Sequence, residues 1–370
     1  LVVPRLCGAN FLNRQASSGA HSDAEGRRML PRERALRAIH FNHPDMMPVE
    51  CYAAPTGLHE HGERLAELLS RYPTDFGDTT HVTVPHPRPE DLDENGRYHA
   101  FSTDAWGVVW EHNIFGAWGH PHRRPLDDWA NLPAYRAPAT PPMSGPEFEA
   151  ARAAAARHKE TYYLRHGGGM LIETMRSVRR FEDVLMDIQD DTPEINRLAD
   201  LIVEYDEKLI AHALALDVDG ISFGDDWGTQ EALMTSLPVW RRFFKPRYER
   251  LFAPVRAAGK DIHFHSCGQV TDILPDLAEI GVNSIWPQLL LYDLPTLAGQ
   301  CRDLGLAIAL HIDRSHLMTY GTPEEVRGNV AEVASVFRKP DGGAWWYIEI
   351  DNGFPWENVV ALFDAIYSHR

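Results

Sequence analysis

The sequence predicts an α/β protein of the (β/α)8 TIM-barrel class, and three observations carry that prediction. From residue 46 onward short apolar runs alternate with stretches of helical period, the pattern of parallel strands joined by crossover helices. Strand plus helix in the C-terminal half repeats at about the length of one barrel unit. No Gly-rich phosphate loop follows the first strand, which disfavours a doubly wound sheet.

Residues 1–28 mix Gly, Ser, Ala and charge without period, so they are expected to form a disordered extension that takes Cys7 with it. Residues 29–370 are expected to make a single barrel domain, opened by the helical start LPRERALRAIHF. The first strand is MPVECY, 47–52. Segment 85–150 is rich in Pro, Trp and His, and is too long and aromatic for a plain connection, so it is read as an insertion covering one end of the barrel. Its Trp and His residues either wall an aromatic pocket or pack as a lid core.

Further strands are placed at 161–167, 219–224, 261–266, 283–287, 307–312 and 344–350. Helices are placed at 193–216, 238–259 and 322–338, each beginning near a Thr, Ser or Pro that suits a helix start.

Composition narrows the function. The 370 residues carry 36 Lys+Arg against 53 Asp+Glu, a formal charge of −17. With no basic cluster, such a chain repels nucleic acid and anionic membrane surfaces. Its four cysteines, at 7, 51, 267 and 301, are too scattered for a disulfide framework and suit a reducing compartment. No apolar run reaches the roughly 20 residues that span a bilayer, and residues 1–28 lack the apolar core of a secretory signal. A cytoplasmic enzyme is expected, with a homodimer as a common state for such barrels.

Barrel enzymes carry their chemistry at the C-terminal ends of strands, so the polar residues there are the candidates. DIHFHSCG ends in His265 and Cys267, one residue apart, so an extended backbone points both to one side. Imidazole and thiolate are zinc ligands, and a third ligand from another strand leaves the fourth position open. Cys267 as inert packing is the alternative. Gly268 lets backbone approach a ligand, and His263, deeper on the same face, is read as a core histidine.

DGISFGDDWGTQ ends in Asp225 and Asp226, adjacent acids suited to proton transfer or metal support, unless one caps the next helix. On the last strand Glu349 and Asp351 share a face by period two. Either would complete a metal set, or Asp351 with Asn352 and Gly353 builds a turn. Glu173 and Arg176 either orient an anionic substrate or form a structural ion pair. Gln230, Gln288 and His311 complete the substrate-binding candidates.

These residues resemble a known family. The opening RERALRAIHFNHPDMMPVE is similar to that of the uroporphyrinogen decarboxylase superfamily. The resemblance continues through ETMRSVRRFEDVLMDI, GISFGDDWGTQ, HFHSCGQVTDILPDLAEIGVNSIWPQ, YGTPEEV and PWENVVALFDA, over roughly residues 29–368. It implies a (β/α)8 barrel and one of two chemistries. The true decarboxylases act without a cofactor and hold porphyrinogen carboxylates with an Arg-rich motif near the first strand. Here that strand reads PVECYAAPTG, without arginine. The corrinoid-dependent methyltransferases use zinc, held by an HxC pair and a later Cys, to activate a thiol. His265 and Cys267 match the pair, the later Cys is missing, and Glu349 or Asp351 stands in its region, Cys301 falling on a predicted helix.

A carboxylate in place of thiolate makes zinc more Lewis acidic. The resemblance therefore implies a zinc-dependent methyltransferase or demethylase acting on a small molecule. Its corrinoid (methylcobalamin) would be borne by a partner protein, and Asp225 or Asp226 would take a proton or steer a ligand. A cofactor-independent decarboxylase is the alternative.

Overall fold

The computed structural model describes residues 29–370; the extension expected over 1–28, with Cys7, lies outside the described residues. Ten strands lie among these described residues: β1 (Val49–Tyr52), β2 (Ala100–Thr103), β3 (Val109–His112), β4 (His120–Arg123), β5 (Arg165–Gly169), β6 (Gly220–Gly224), β7 (Asp261–Ser266), β8 (Ser284–Pro287), β9 (Ala307–Leu310) and β10 (Ala344–Glu349). Seven form one parallel sheet in the order β1-β10-β9-β8-β7-β6-β5. Each successive pair from β5 to β10 is joined through helix, and the first strand lies beside the last, as in a TIM-barrel-like enzyme.

The expected eighth strand is not formed among the described residues, and the ladder ends at β1 and β5. Asp75 bridges that gap with both its backbone and its side chain. Its N–H donates to the Val49 carbonyl at 2.8 Å, its carbonyl accepts from Tyr163 N–H at 3.2 Å, and its Oδ2 accepts from Val49 N–H at 2.8 Å. Arg165 of β5 pairs with Glu50 of β1 across the same gap, so the sheet curls until its edges nearly meet. The segment stays irregular because its polar side chains take local bonds instead of a ladder. Thr74 Oγ1 donates to the Gly77 carbonyl, and Asp78 Oδ1 accepts from Thr80 N–H at 2.9 Å. Two guanidiniums hold the buried Asp75 carboxyl, Arg34 at 2.5 Å and Arg370 at 2.6 Å.

Three other readings shift. The strand expected at 161–167 runs from Arg165 to Gly169. The helix expected at 238–259 is two, Leu237–Phe243 and Lys245–Ala257. Pro246 lacks the N–H an unbroken helix would use and sits instead in the first turn of the second helix. Segment 85–150 contains a three-stranded antiparallel sheet, β2-β3-β4. It packs on helices that follow β1 and β5: Phe115 meets His59 at 4.9 Å, Trp106 meets Tyr205 at 5.0 Å, and Leu126 N–H donates to the Val178 carbonyl at 2.9 Å.

Elsewhere the helix starts follow their caps. Thr322 and Glu325 make a reciprocal capping box at Pro323–Phe337, and Thr192 precedes Pro193–Ala215. All six residues of β7 are buried, so its polar groups must find partners inside the sheet. His263 does: Tyr163 Oη lies 2.8 Å from Nε2 and Ser284 Oγ 2.5 Å from Nδ1. Burial, with Arg165 nearby, lowers its pKa to about 3, so it is a neutral core histidine. No helix among the described residues is long and apolar enough to cross a membrane.

Candidate metal centre

The ends of β6 and β7 are zipped together. Past the ladder, Asp225 N–H donates to the His265 carbonyl at 3.0 Å, Trp227 N–H to Ser266 Oγ at 3.0 Å, Gly228 N–H to the Cys267 carbonyl at 3.1 Å, and Gln269 N–H to the Thr229 carbonyl at 2.7 Å. Such contact needs glycine on both sides. Gly268 has φ 79°, and a Cβ there would lie 2.0 Å from the Gly228 carbonyl oxygen.

The zipper brings Asp226 to the histidine and cysteine. Cys267 N–H donates to Asp226 Oδ1 at 2.8 Å, and His265 Nε2 lies 3.5 Å from both Asp226 Oδ1 and Cys267 Sγ. One donor atom from each of the three lies within 4.8 Å of the others, the one such group of metal-ligand type among the described residues. His265 Nδ1 is 2.8 Å from the Trp286 carbonyl. A carbonyl only accepts, so Nδ1 carries hydrogen and Nε2 faces the group, where a proton or a cation can occupy its lone pair. The Trp286 ring, 4.1 Å from the imidazole, fixes its plane.

The electrostatics suit a cation. Burial opposes the Asp226 charge, yet His265 and the Cys267 N–H outweigh it and lower its pKa to about 2. Burial first, then the Asp226 charge, pushes the Cys267 thiol up. A thiolate here therefore needs a compensating cation.

Asp225 turns away. It is 1% exposed, and its carboxylate accepts from Leu171 N–H at 2.9 Å, Glu173 N–H at 3.1 Å and Tyr248 Oη. It thereby anchors the first turn of the helix Leu171–Val178. That helix carries Glu173 and Arg176, paired at 2.7 Å, with Arg176 Nη2 3.9 Å from Asp226 Oδ2. The pair borders the group rather than standing free.

Glu349 and Asp351 do share a face, but they meet Arg314 rather than the group. Its Nη1 lies 3.3 Å from Glu349 Oε2 and 2.8 Å from Asp351 Oδ2. Burial, reinforced by Asp351 against the attraction of Arg314, raises Glu349 to about 7. Gln288 Oε1 accepts from Gly268 N–H at 2.8 Å, and Trp286 Nε1 donates to His311 Nδ1 at 3.3 Å. Gln230 is exposed and outside these contacts. A cleft of about 350 Å³ opens beside the group, lined in part by His265, Trp286, Gln288, His311, Arg314 and Asp351. Sequence reasoning passed over Arg314, although its place just after β9 is the strand-end signal that exposed the other candidates.

The uroporphyrinogen decarboxylase (URO-D) family model matches residues 169–368. Comparison with curated protein sequences gives no match. Among solved structures, a methyltransferase from Methanosarcina mazei superposes with a TM-score of 0.59 at 15% identity, over 92% of this chain and 98% of that one; at that identity the likeness shows the fold. A dihydropteroate synthase from Xanthomonas albilineans matches with a TM-score of 0.31 at 18% identity, over 43% and 58% of the two chains. A xylanase from Gloeophyllum trabeum matches with a TM-score of 0.39 at 12% identity, over 60% and 79%. Neither of these two is close enough to carry an argument about the site.

Proposed function

Because the chain belongs to the uroporphyrinogen decarboxylase family, we propose that it is a zinc-dependent methyltransferase or demethylase of that family, moving a methyl group between a corrinoid on a partner protein and a small molecule. The observation that carries this reading is the Asp226, His265 and Cys267 group beside the cleft. Carboxylate, imidazole and thiolate fit zinc, and two anionic ligands neutralise the dication. The hydrogen bond from His265 Nδ1 to the Trp286 carbonyl is the outer contact that aims a ligating imidazole. The methyltransferase of M. mazei, alike in fold, is consistent with this branch.

In this reading Asp226, His265 and Cys267 hold zinc, which when bound supplies Lewis acidity that makes a thiol or hydroxyl substrate a better nucleophile at neutral pH. Arg176 steadies the Asp226 charge from 3.9 Å. Gln288 holds the Gly268 N–H and with it the loop that carries Cys267. Arg314 and His311 line the cleft where the rest of the substrate would sit, and its volume suits a small molecule. Of the two aspartates, Asp226 is the ligand and Asp225 the anchor of the neighbouring helix.

A porphyrinogen fits poorly. β1 reads VECY and offers no guanidinium to its carboxylates. The test is methyl transfer from methylcobalamin to a panel of small thiols and alcohols, by the wild type and a His265→Ala/Cys267→Ala variant. Transfer by the wild type and its loss in the variant is expected. Undiminished transfer by the variant would overturn the reading, and steady carbon dioxide release from metal-free protein would replace it with cofactor-independent decarboxylation.

A further inference from the structure

The outer face of the antiparallel sheet carries a second set of metal-ligand side chains, far in sequence from the first. β4 reads HPHR; its register with β3 shifts at His122, yet His122 still comes to Glu111 and Phe101, on the face that His120 shares by pairing with Glu111, while Pro121 pairs with Trp110. Glu111 of β3 is the register partner of His120 and, across β2, of Phe101. His99, just before β2, reaches the same carboxylate.

The distances make Glu111 the hub. His99 Nε2 lies 2.8 Å from its Oε1 and His122 Nδ1 3.7 Å from its Oε2. The Phe101 ring meets His99 at 5.1 Å and His122 at 5.0 Å, so both imidazoles flank it on one face. All three histidines are exposed, free to turn by one rotamer, and cross-strand neighbours start only about 5 Å apart at Cβ. The hydrogen bond from His99, with the nearby charges of His122 and His120 when protonated, holds Glu111 below the usual carboxylate range.

We propose that His120, His122 and Glu111, with His99 as a fourth donor, form a surface site for a divalent transition cation of the zinc type. As they stand these donor atoms are not gathered as closely as those of the central group, but a pair of histidines at i and i+2 on one strand, with a third donor on the strand beside it, reaches a single point once the exposed imidazoles turn. Neutral imidazoles with one carboxylate select borderline cations such as zinc over magnesium or calcium, which prefer all-oxygen sets. Exposure leaves the remaining coordination positions to water or to a residue of another molecule. The site lies on the inserted sheet and its ligands are unconnected to Asp226, His265 and Cys267, so each can be emptied without the other.

Zinc binding to the full chain, measured by equilibrium dialysis against a competing chelator, tests this in the wild type, in His120→Ala/His122→Ala and in His265→Ala/Cys267→Ala. The wild type should bind one more equivalent than the His120→Ala/His122→Ala variant, and the His265→Ala/Cys267→Ala variant should retain that equivalent. Glu111→Gln, a nearly isosteric change at a half-buried surface position, should weaken the same equivalent at least tenfold while leaving the unfolding transition in place. Equal zinc uptake by the wild type, His120→Ala/His122→Ala and Glu111→Gln proteins would overturn the proposal, whatever happens at the central group.

Discussion

Glu349→Gln separates two forces at the cleft, because its carboxyl is pulled in opposite directions. Arg314 at 3.3 Å favours the ionised form, while burial to 10% side-chain exposure and the neighbouring Asp351 oppose it. Burial wins and places the group at about 7, against about 4.3 in an unfolded chain. An acid whose pKa is raised on folding binds more protons in the folded state between those two values, so stability falls as pH rises through that window and levels off above it. For one such group the loss between about pH 5 and about pH 8 is roughly 2.5 kcal/mol, since each pKa unit is worth about 1.4 kcal/mol.

Glutamine keeps the shape and cannot ionise, and Arg314 retains Asp351 at 2.8 Å. The variant should therefore gain roughly 2.5 kcal/mol on the wild type as pH rises over that range, read from urea unfolding at the two pH values. A wild-type advantage that grows with pH would refute the reasoning and show that the Arg314 attraction exceeds the cost of burial. A difference independent of pH would show that Glu349 does not titrate in the folded state over this range.

Two further outcomes follow from the fold. Gly268→Ala meets a left-handed φ of 79° and the Gly228 carbonyl 2.0 Å from its Cβ, so the zipped loops must part; a loss of about 3 kcal/mol or more in unfolding free energy is expected, with weaker zinc binding. Asp75→Asn leaves Arg34 and Arg370 without their shared buried carboxylate and should cost about 3–5 kcal/mol, seen as a lowered thermal midpoint; an unchanged midpoint would mean that the Asp75 charge, as distinct from its backbone bonds, does not help to hold the edges of the sheet together.

Where the sequence was legible, local pattern and structure obey the same rule. β7 falls at 261–266 as read, because Ile262 and Phe264 alternate with His263 and His265, and that same period of two puts His265 beside Cys267. The missing eighth strand was not legible, since Thr74 and Asp78 make turn bonds that compete with a ladder over only a few residues. The split at Phe244 was overridden by a helical period that runs unbroken across Pro246. Glu349 and Asp351 were correctly placed on one face, but which carboxylate reaches Cys267 depends on how two loops fasten through Gly228 and Gly268. That fastening is a tertiary contact, and no spacing within either loop encodes it.

The central claim is a metal site built from Asp226, His265 and Cys267, and cobalt(II) substitution tests it most directly because thiolate-to-cobalt charge transfer reports only a cysteine-ligated ion. The account predicts that band in the wild type and in Glu349→Gln, and its loss in Cys267→Ser and Asp226→Ala. A band that survives Asp226→Ala but disappears in Glu349→Gln, or a folded wild type that shows none when cobalt is supplied, would contradict it.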